Sequence, residues 1–278
     1  MARRLKLLTG LSCIALTSAL ALSACSGSES EGAKEAGENG NAAHHGDAGG
    51  GEAEQPSNAG SESEGAAMAE ITSDKAVYLS ALQIVRGHLR AGVELYVSGD
   101  RDLGPQHLRH PQAEILTTLA PAFAAFEATS IEPAIDALAA AGEAGASPAE
   151  IATLEAAAFA SVANAGASAN PGLKDRLLAV AKTLTVAGDE YSVAVNDGQI
   201  VNLHEYHDAY GFIAVAISDL ESMSGENDAE EAAIASVLEQ AKVAATAAPS
   251  IAPPASELAP ASLIYGAAAR IEIVARAL

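Results

Sequence analysis

The sequence predicts an all-α protein, an antiparallel helical bundle of about eight helices joined by short connections. Three observations predict it. Apolar residues recur at helical spacing over most of the chain beyond Glu70. Strand signals are nearly absent, the nearest being Gln199-Ile200-Val201 between Gly198 and Asn202. Helix-start signatures recur as well. Ser147-Pro148-Ala149-Glu150, Asn202 with Glu205, and Asn227 with Glu230 all read as capping boxes. Alanine at many core positions lets helices approach closely, and an aromatic content of 4 % means a core of small side chains.

The first helix is expected over about 73–98. Leu82, Val85, Leu89 and Gly92 follow one face, His88 stands beside that face, and Gly99-Asp100 ends the helix. A short element follows, opened by Pro105 and carrying His107 and His110. Pro111 disfavours helical angles at His110 and is expected to open the next helix, which would place Glu114 in its first turn and run to about Ala128. Further helices are expected over about 131–142, 148–165 and 171–196. The short connection at 199–201 leads into a helix over about 203–223, with an apolar stripe of Tyr206, Tyr210, Ile213, Ile217 and Leu220. Asn227 caps a helix to about Thr246, and four prolines mark 248–260 as a loop. A last helix carries Leu263, Ile264, Ile271 and Val274.

The N-terminus supplies an address. Arg3, Arg4 and Lys6 precede an apolar run from Leu7 to Leu22 that is too short for a spanning helix, the pattern of a secretory signal. Leu22-Ser23-Ala24-Cys25 resembles the lipobox of bacterial lipoproteins, which implies a signal peptide over 1–24 and a lipid on Cys25. Ser26, rather than Asp, follows the cysteine, so retention at the inner membrane is not demanded and which membrane carries the chain stays open. Residues 25–68 then form a lipidated, acidic, disordered linker, because apolar residues larger than alanine are absent from Ser26 until Met68. His44-His45 within it reads as a solvated pair. The helical-bundle domain spans 69–278, about 210 residues and enough for one sizeable core.

Composition excludes several classes. With Cys13 in the removed segment and Cys25 acylated, no thiol pair remains for a disulfide or a thiolate site. A net charge of −21, with only 15 Lys and Arg, leaves no basic face for nucleic acid. No Gly-x-Ser-x-Gly, His-Glu-x-x-His, phosphate-binding loop or dinucleotide fingerprint occurs, so an enzyme is not expected.

The remaining chemistry falls in three histidine windows. His107 and His110, three apart, share a face, and Glu114 stands four further on. His88 gains interest from standing next to that loop. His204, His207 and Asp208 lie at i, i+3 and i+4 on the first turn of the central helix. Imidazole and carboxylate together suit zinc or iron. Asp189 and Glu190, late in the preceding helix, are placed to orient those imidazoles, and Tyr206 and Tyr210 pack with their hydroxyls near the same edge. The competing reading is a set of solvated rings at helix ends, with Glu205 occupied in capping.

Asp197-Gly198-Gln199-Ile200-Val201-Asn202 with Glu205-Tyr206 resembles a segment of the exported helical domain that precedes some bacterial iron permeases. The permease membrane helices are not in this sequence. A looser likeness is to imelysin-type periplasmic lipoproteins, whose Gly-x-His-x-x-Glu motif departs here because alanine occupies position 91 after Gly87-His88. Both resemblances imply iron. The functional expectation is a lipid-anchored envelope protein binding iron or zinc through these residues, periplasm-facing or surface-exposed. The alternative is a structural lipoprotein that presents a helical face to an envelope protein partner.

Overall fold

The computed structural model describes residues 70–278. The segments expected as a signal peptide, a lipidated Cys25 and a linker, with His44-His45, lie outside the described residues. Within them the chain forms nine α-helices and one two-stranded hairpin. The helices are α1 (Lys75–Ser98), α2 (Leu103–Glu114), α3 (Leu116–Ala125), α4 (Glu132–Glu143), α5 (Pro148–Ser168), α6 (Leu173–Ala194), α7 (Leu203–Ser222), α8 (Asp228–Ala245) and α9 (Ser262–Arg276). β1 (Val195–Asn196) and β2 (Gln199–Ile200) sit between α6 and α7. No helix among the described residues is long and apolar enough to cross a membrane.

Local chemistry explains most boundaries. Asp74 caps α1 by accepting from the Ala76 N–H at 2.7 Å, and Gly99, at φ 106°, closes it in the left-handed conformation. Asn202 accepts from the N–H groups of His204 and Glu205, and Asn227 from those of Ala229 and Glu230. The hairpin pairs Val195 with Ile200 and Asn196 with Gln199 across Asp197-Gly198, both at positive φ. It reverses the chain in two residues, so the end of α6 and the start of α7 stay side by side.

Two expectations are corrected here. Pro111 does not open a new helix: α2 runs through it and ends three residues later at Glu114. A proline at this depth loses a backbone bond to the residue one turn back, and the helix persists only briefly beyond it. His107, His110 and Glu114 therefore share one helix. Nor does Glu205 complete a capping box. The Asn202 N–H is bonded to Ala194 O across the hairpin, and the Glu205 carboxylate accepts from the Asn202 side-chain amide at 3.5 Å instead of from that N–H.

The core has two main lobes. Helices α6 to α9 bury Leu184, Tyr191, Phe212, Ile213, Ile264 and Ile271, among others. Helices α1 to α5 bury Tyr78, Val85, Leu89, Leu108, Ile135 and Ile151. Helix α1 packs on α2 and α5 on one side and on α6 and α7 on the other. Four buried tyrosines use their hydroxyls to hold chain segments outside the helices they pack within. Tyr78 donates to Ala165 O, Tyr96 to Ala146 O, Tyr191 to Ala247 O and Ala259 O, and Tyr206 to Ser250 O.

Close approach at glycine sets the spacing of the three helices that carry the histidines. A Cβ on Gly211 would lie 2.3 Å from Gly87 O, so α7 meets α1 backbone to backbone. A Cβ on Gly104 would lie 2.8 Å from Tyr96 N and 3.0 Å from Gly92 O, so α2 meets α1 the same way. His88 sits between Gly87 and Gly92. We expect Gly211→Ala to lower unfolding stability by about 1–3 kcal/mol, the usual cost of overpacking. Gly266→Ala on α9, where only the flexible end of Arg270 is near at 3.3 Å, should instead be neutral or gain up to about 1 kcal/mol of helix propensity. Denaturant unfolding of the two variants checks this; equal effects would remove the backbone-contact argument.

Candidate metal centre

The three histidine windows meet in space. His88 comes from α1, His107 and His110 from α2, and His204, His207 and Asp208 from the first two turns of α7. At their centre is Asp208, 2 % exposed. Its Oδ1 accepts from His88 Nδ1 at 2.7 Å and from His107 Nδ1 at 2.9 Å. His110 Nδ1 lies 3.4 Å from Oδ2. One ligand atom from each of His88, His107, His110 and Asp208 lies within 4.8 Å of all the others.

The rings pack on one another around this carboxylate. His107 stacks on His204 with centroids 4.0 Å apart, and His207 meets His107 edge-on at 5.4 Å. His88 stands edge-on to Phe212 at 4.8 Å, so an aromatic face seals the inner side. His110 Nε2 and His204 Nε2 are 2.6 Å apart. Two ring nitrogens, His107 Nε2 and His207 Nδ1, are buried without a hydrogen-bond partner. Buried polar atoms are almost always paired, so two orphans in one cluster mark a place where a ligand fits.

Carboxylates ring the mouth. Glu114 is exposed and lies 3.5 Å from His88 Nε2 and 3.7 Å from His110 Nδ1. Glu190 and Glu205, brought together by the hairpin, share a hydrogen bond. Burial, the bond to Glu205 and the charges of Glu205, Asp208 and Glu114 push the Glu190 carboxyl up to about 8. Like charges so close resist joint ionisation, which keeps the proton on Glu190.

The electrostatics of the rings follow their neighbours. Burial would raise the Asp208 carboxyl, but contacts from His107, His110 and His88 outweigh it and hold it well below the usual range. Burial would lower His110, yet Asp208, Glu114 and Glu205 together hold it above its ordinary value. His204 is pushed down to about 4 by burial and by the neighbouring His107 and His110. His207 is also pushed down to about 4, by burial and by His107.

Of the residues singled out from sequence, His88, His107, His110, Glu114, His204, His207 and Asp208 gather here, with Glu190 at the rim. Asp189 does not: it accepts from Tyr265 OH at 2.7 Å on another side of α6. Tyr206 and Tyr210 point elsewhere too, Tyr206 to Ser250 O and Tyr210 to the Glu94 carboxylate, both at 3.0 Å. Helical period explains this, since the tyrosines lie two residues to either side of Asp208 and so face away from it. Glu205 and Phe212 were not anticipated. The signal for Glu205 was its place beside His204, masked by the capping reading.

The donor set fits iron or zinc: imidazole and carboxylate converge, with no cysteine or methionine among them. Residues 167–276 match the family described as the iron permease-associated 4-helix bundle domain. That segment contains α6 to α9, the four helices of one core lobe, and so supplies His204, His207, Asp208, Glu190 and Glu205. His88, His107, His110 and Glu114 come from outside it. No curated protein and no solved structure matches the chain.

His204 and His207 are held neutral by the fold. Their depressed values contribute stability that is present above the unfolded value near 6.5 and lost as pH falls toward about 4. Chelator-stripped protein should therefore lose thermal stability between pH 6.5 and 4, and His207→Gln should flatten that loss. An unchanged slope in the variant would contradict the assignment.

Proposed function

We propose that this chain is a lipid-anchored protein of the cell envelope that binds an iron or zinc cation, in metal uptake. The observation that carries the reading is convergence. Histidines from three separate helices close on one buried carboxylate, and two buried ring nitrogens there have no partner. The iron permease-associated match over 167–276 supports uptake as the setting, and the Leu22-Ser23-Ala24-Cys25 segment supports the anchor.

The chain's residues do three things in this reading. Asp208 holds the rings of His88 and His107 in one tautomer. The imidazoles offer neutral nitrogens. Glu114 and Glu205 make the mouth acidic, which raises the local cation concentration, while Glu190, pushed up to about 8, keeps its proton near neutral pH. Proton release accompanies binding, because ring nitrogens must be unprotonated to ligate.

The test is elemental analysis of the full chain purified without a histidine tag, beside a His107→Ala/His110→Ala variant. Stoichiometric iron or zinc in the wild type, lost in the variant, is the expected result. Affinity should fall as pH drops through the range in which His110 protonates, which lies above the ordinary imidazole value near 6.5. Absence of metal from the wild type, with no thermal shift on adding either ion, would remove the proposal.

A further inference from the structure

Resting on the metal-binding reading, we propose that the cation sits on the Nε2 edge of the imidazole cluster, ligated by His110 and His204 with His107 as the third nitrogen. Asp208 is then not a ligand but a positioning residue, and the site selects a borderline divalent transition-metal ion over hard magnesium or calcium.

The argument starts from tautomers. A neutral imidazole carries one N–H and one lone pair. Donation from Nδ1 of His88 and of His107 to Asp208 Oδ1 places the lone pair of each ring on Nε2. His110 Nδ1 lies 3.4 Å from Asp208 Oδ2, 3.7 Å from Glu114 Oε1 and 3.4 Å from His204 Nε2, and the two carboxylates favour the proton on this nitrogen. One carboxylate thus aims three lone pairs away from itself. A carboxylate that holds a histidine by Nδ1 while Nε2 ligates is a recurrent way of orienting metal-bound imidazole.

Oδ1 of Asp208 is also spent. An oxygen with about two lone-pair sites already accepts two N–H groups at 2.7 and 2.9 Å. The Nε2 edge, by contrast, keeps one unpaired nitrogen. His107 Nε2 has no partner, and His107 is fully buried. His110 Nε2 faces His204 Nε2 at 2.6 Å, shorter than the ordinary range for a nitrogen donor. An ion bound at about 2.1 Å to each nitrogen resolves that contact with a slight opening of the pair. His204 stands at the half-buried side of the cluster and completes the donors from α7, while Asp208 on the same helix faces inward. A nitrogen-rich donor set of this kind suits zinc, copper or ferrous iron and disfavours magnesium and calcium, which seek oxygen.

The experiment uses the chelator-stripped full chain, His204→Ala and Asp208→Asn. Zinc affinity is read by competition with a chromophoric chelator, with magnesium and calcium as challengers. Imidazole count and the remote-nitrogen signature are read by pulsed electron paramagnetic resonance on copper(II)-loaded protein. His204→Ala should weaken zinc at least tenfold and remove one imidazole from the spectrum. Asp208→Asn should keep the imidazole count, alter the remote-nitrogen coupling and weaken zinc about 10–100-fold. A millimolar excess of magnesium or calcium should leave zinc binding unchanged. Unaltered zinc affinity in His204→Ala, or displacement of zinc by magnesium or calcium, overturns the inference while the metal-binding reading stands. Wild type that binds neither zinc nor copper, and shows no thermal shift on adding iron, removes both together. His204 is not buried, so its variant decides the question should Asp208→Asn fail to fold, which circular dichroism reports.

Discussion

A carboxylate taken out of water is the constraint on which the centre depends. Removing the charge of Asp208 from solvent costs several kcal/mol unless polar partners replace the lost hydration. The partners come from α1 and α2, and no residue near Asp208 in sequence supplies them. Two ring N–H donors and a third imidazole at 3.4 Å close around it. The acid and the rings are therefore mutually obligatory. Without the rings the carboxylate is an uncompensated buried charge, and without the carboxylate His88 and His107 lose the group that fixes their tautomer.

That arrangement requires helices closer than ordinary side-chain packing allows. Interaxial distances of about 8–10 Å are usual, and the shortest need small residues at the contact. Gly211 against Gly87 and Gly104 against Gly92 supply them, one contact to each side of His88 on α1. Phe212, next to Gly211, is 1 % exposed and fills the space behind the His88 ring. Burial of such a side chain contributes about 1.5–3 kcal/mol, so the residues that seal the site also help hold the helices together. A separate polar chain ties α1 to α6 and α7: Ser80, Thr183, Gln83 and Asp219 are linked in sequence by hydrogen bonds of 2.6–3.0 Å. Packing and polar contacts both fix the register of the helices that carry the histidines.

The centre lies on a seam between the two core lobes. The iron permease-associated match covers the lobe of α6 to α9, which contributes His204, His207 and Asp208. The lobe of α1 to α5 contributes His88, His107, His110 and Glu114. Neither lobe holds a complete donor set. The rim carboxylates follow the same division, with Glu114 from α2 and the Glu190–Glu205 pair from the two helices that the hairpin joins.

Local information in the sequence was enough for the class of fold and for most helix limits, because caps, prolines and helical period act within a few residues. Asp74, Asn202 and Asn227 start helices for the same reason in any context: a short polar side chain satisfies free N–H groups at the first turn. The positions of Pro111 and Glu205 were misread because each is decided by a partner beyond that range. Helix α2 continues through Pro111 while packed on α1, and the Asn202 N–H donates to Ala194 O across the hairpin, so the Glu205 carboxylate does not cap it. The three histidine windows were visible as residue types and spacings, and so was the suitability of imidazole and carboxylate for iron or zinc. Spacing along one helix says which side chains share a face and nothing about what that face meets. Only the tertiary structure brought His88 and His107 onto Asp208 and turned Tyr206, Tyr210 and Asp189 elsewhere. Those contacts span 44 residues for Tyr206 with Ser250 up to 120 for His88 with Asp208. Backbone approach at paired glycines determines them, a property of two helices together that neither sequence segment contains alone.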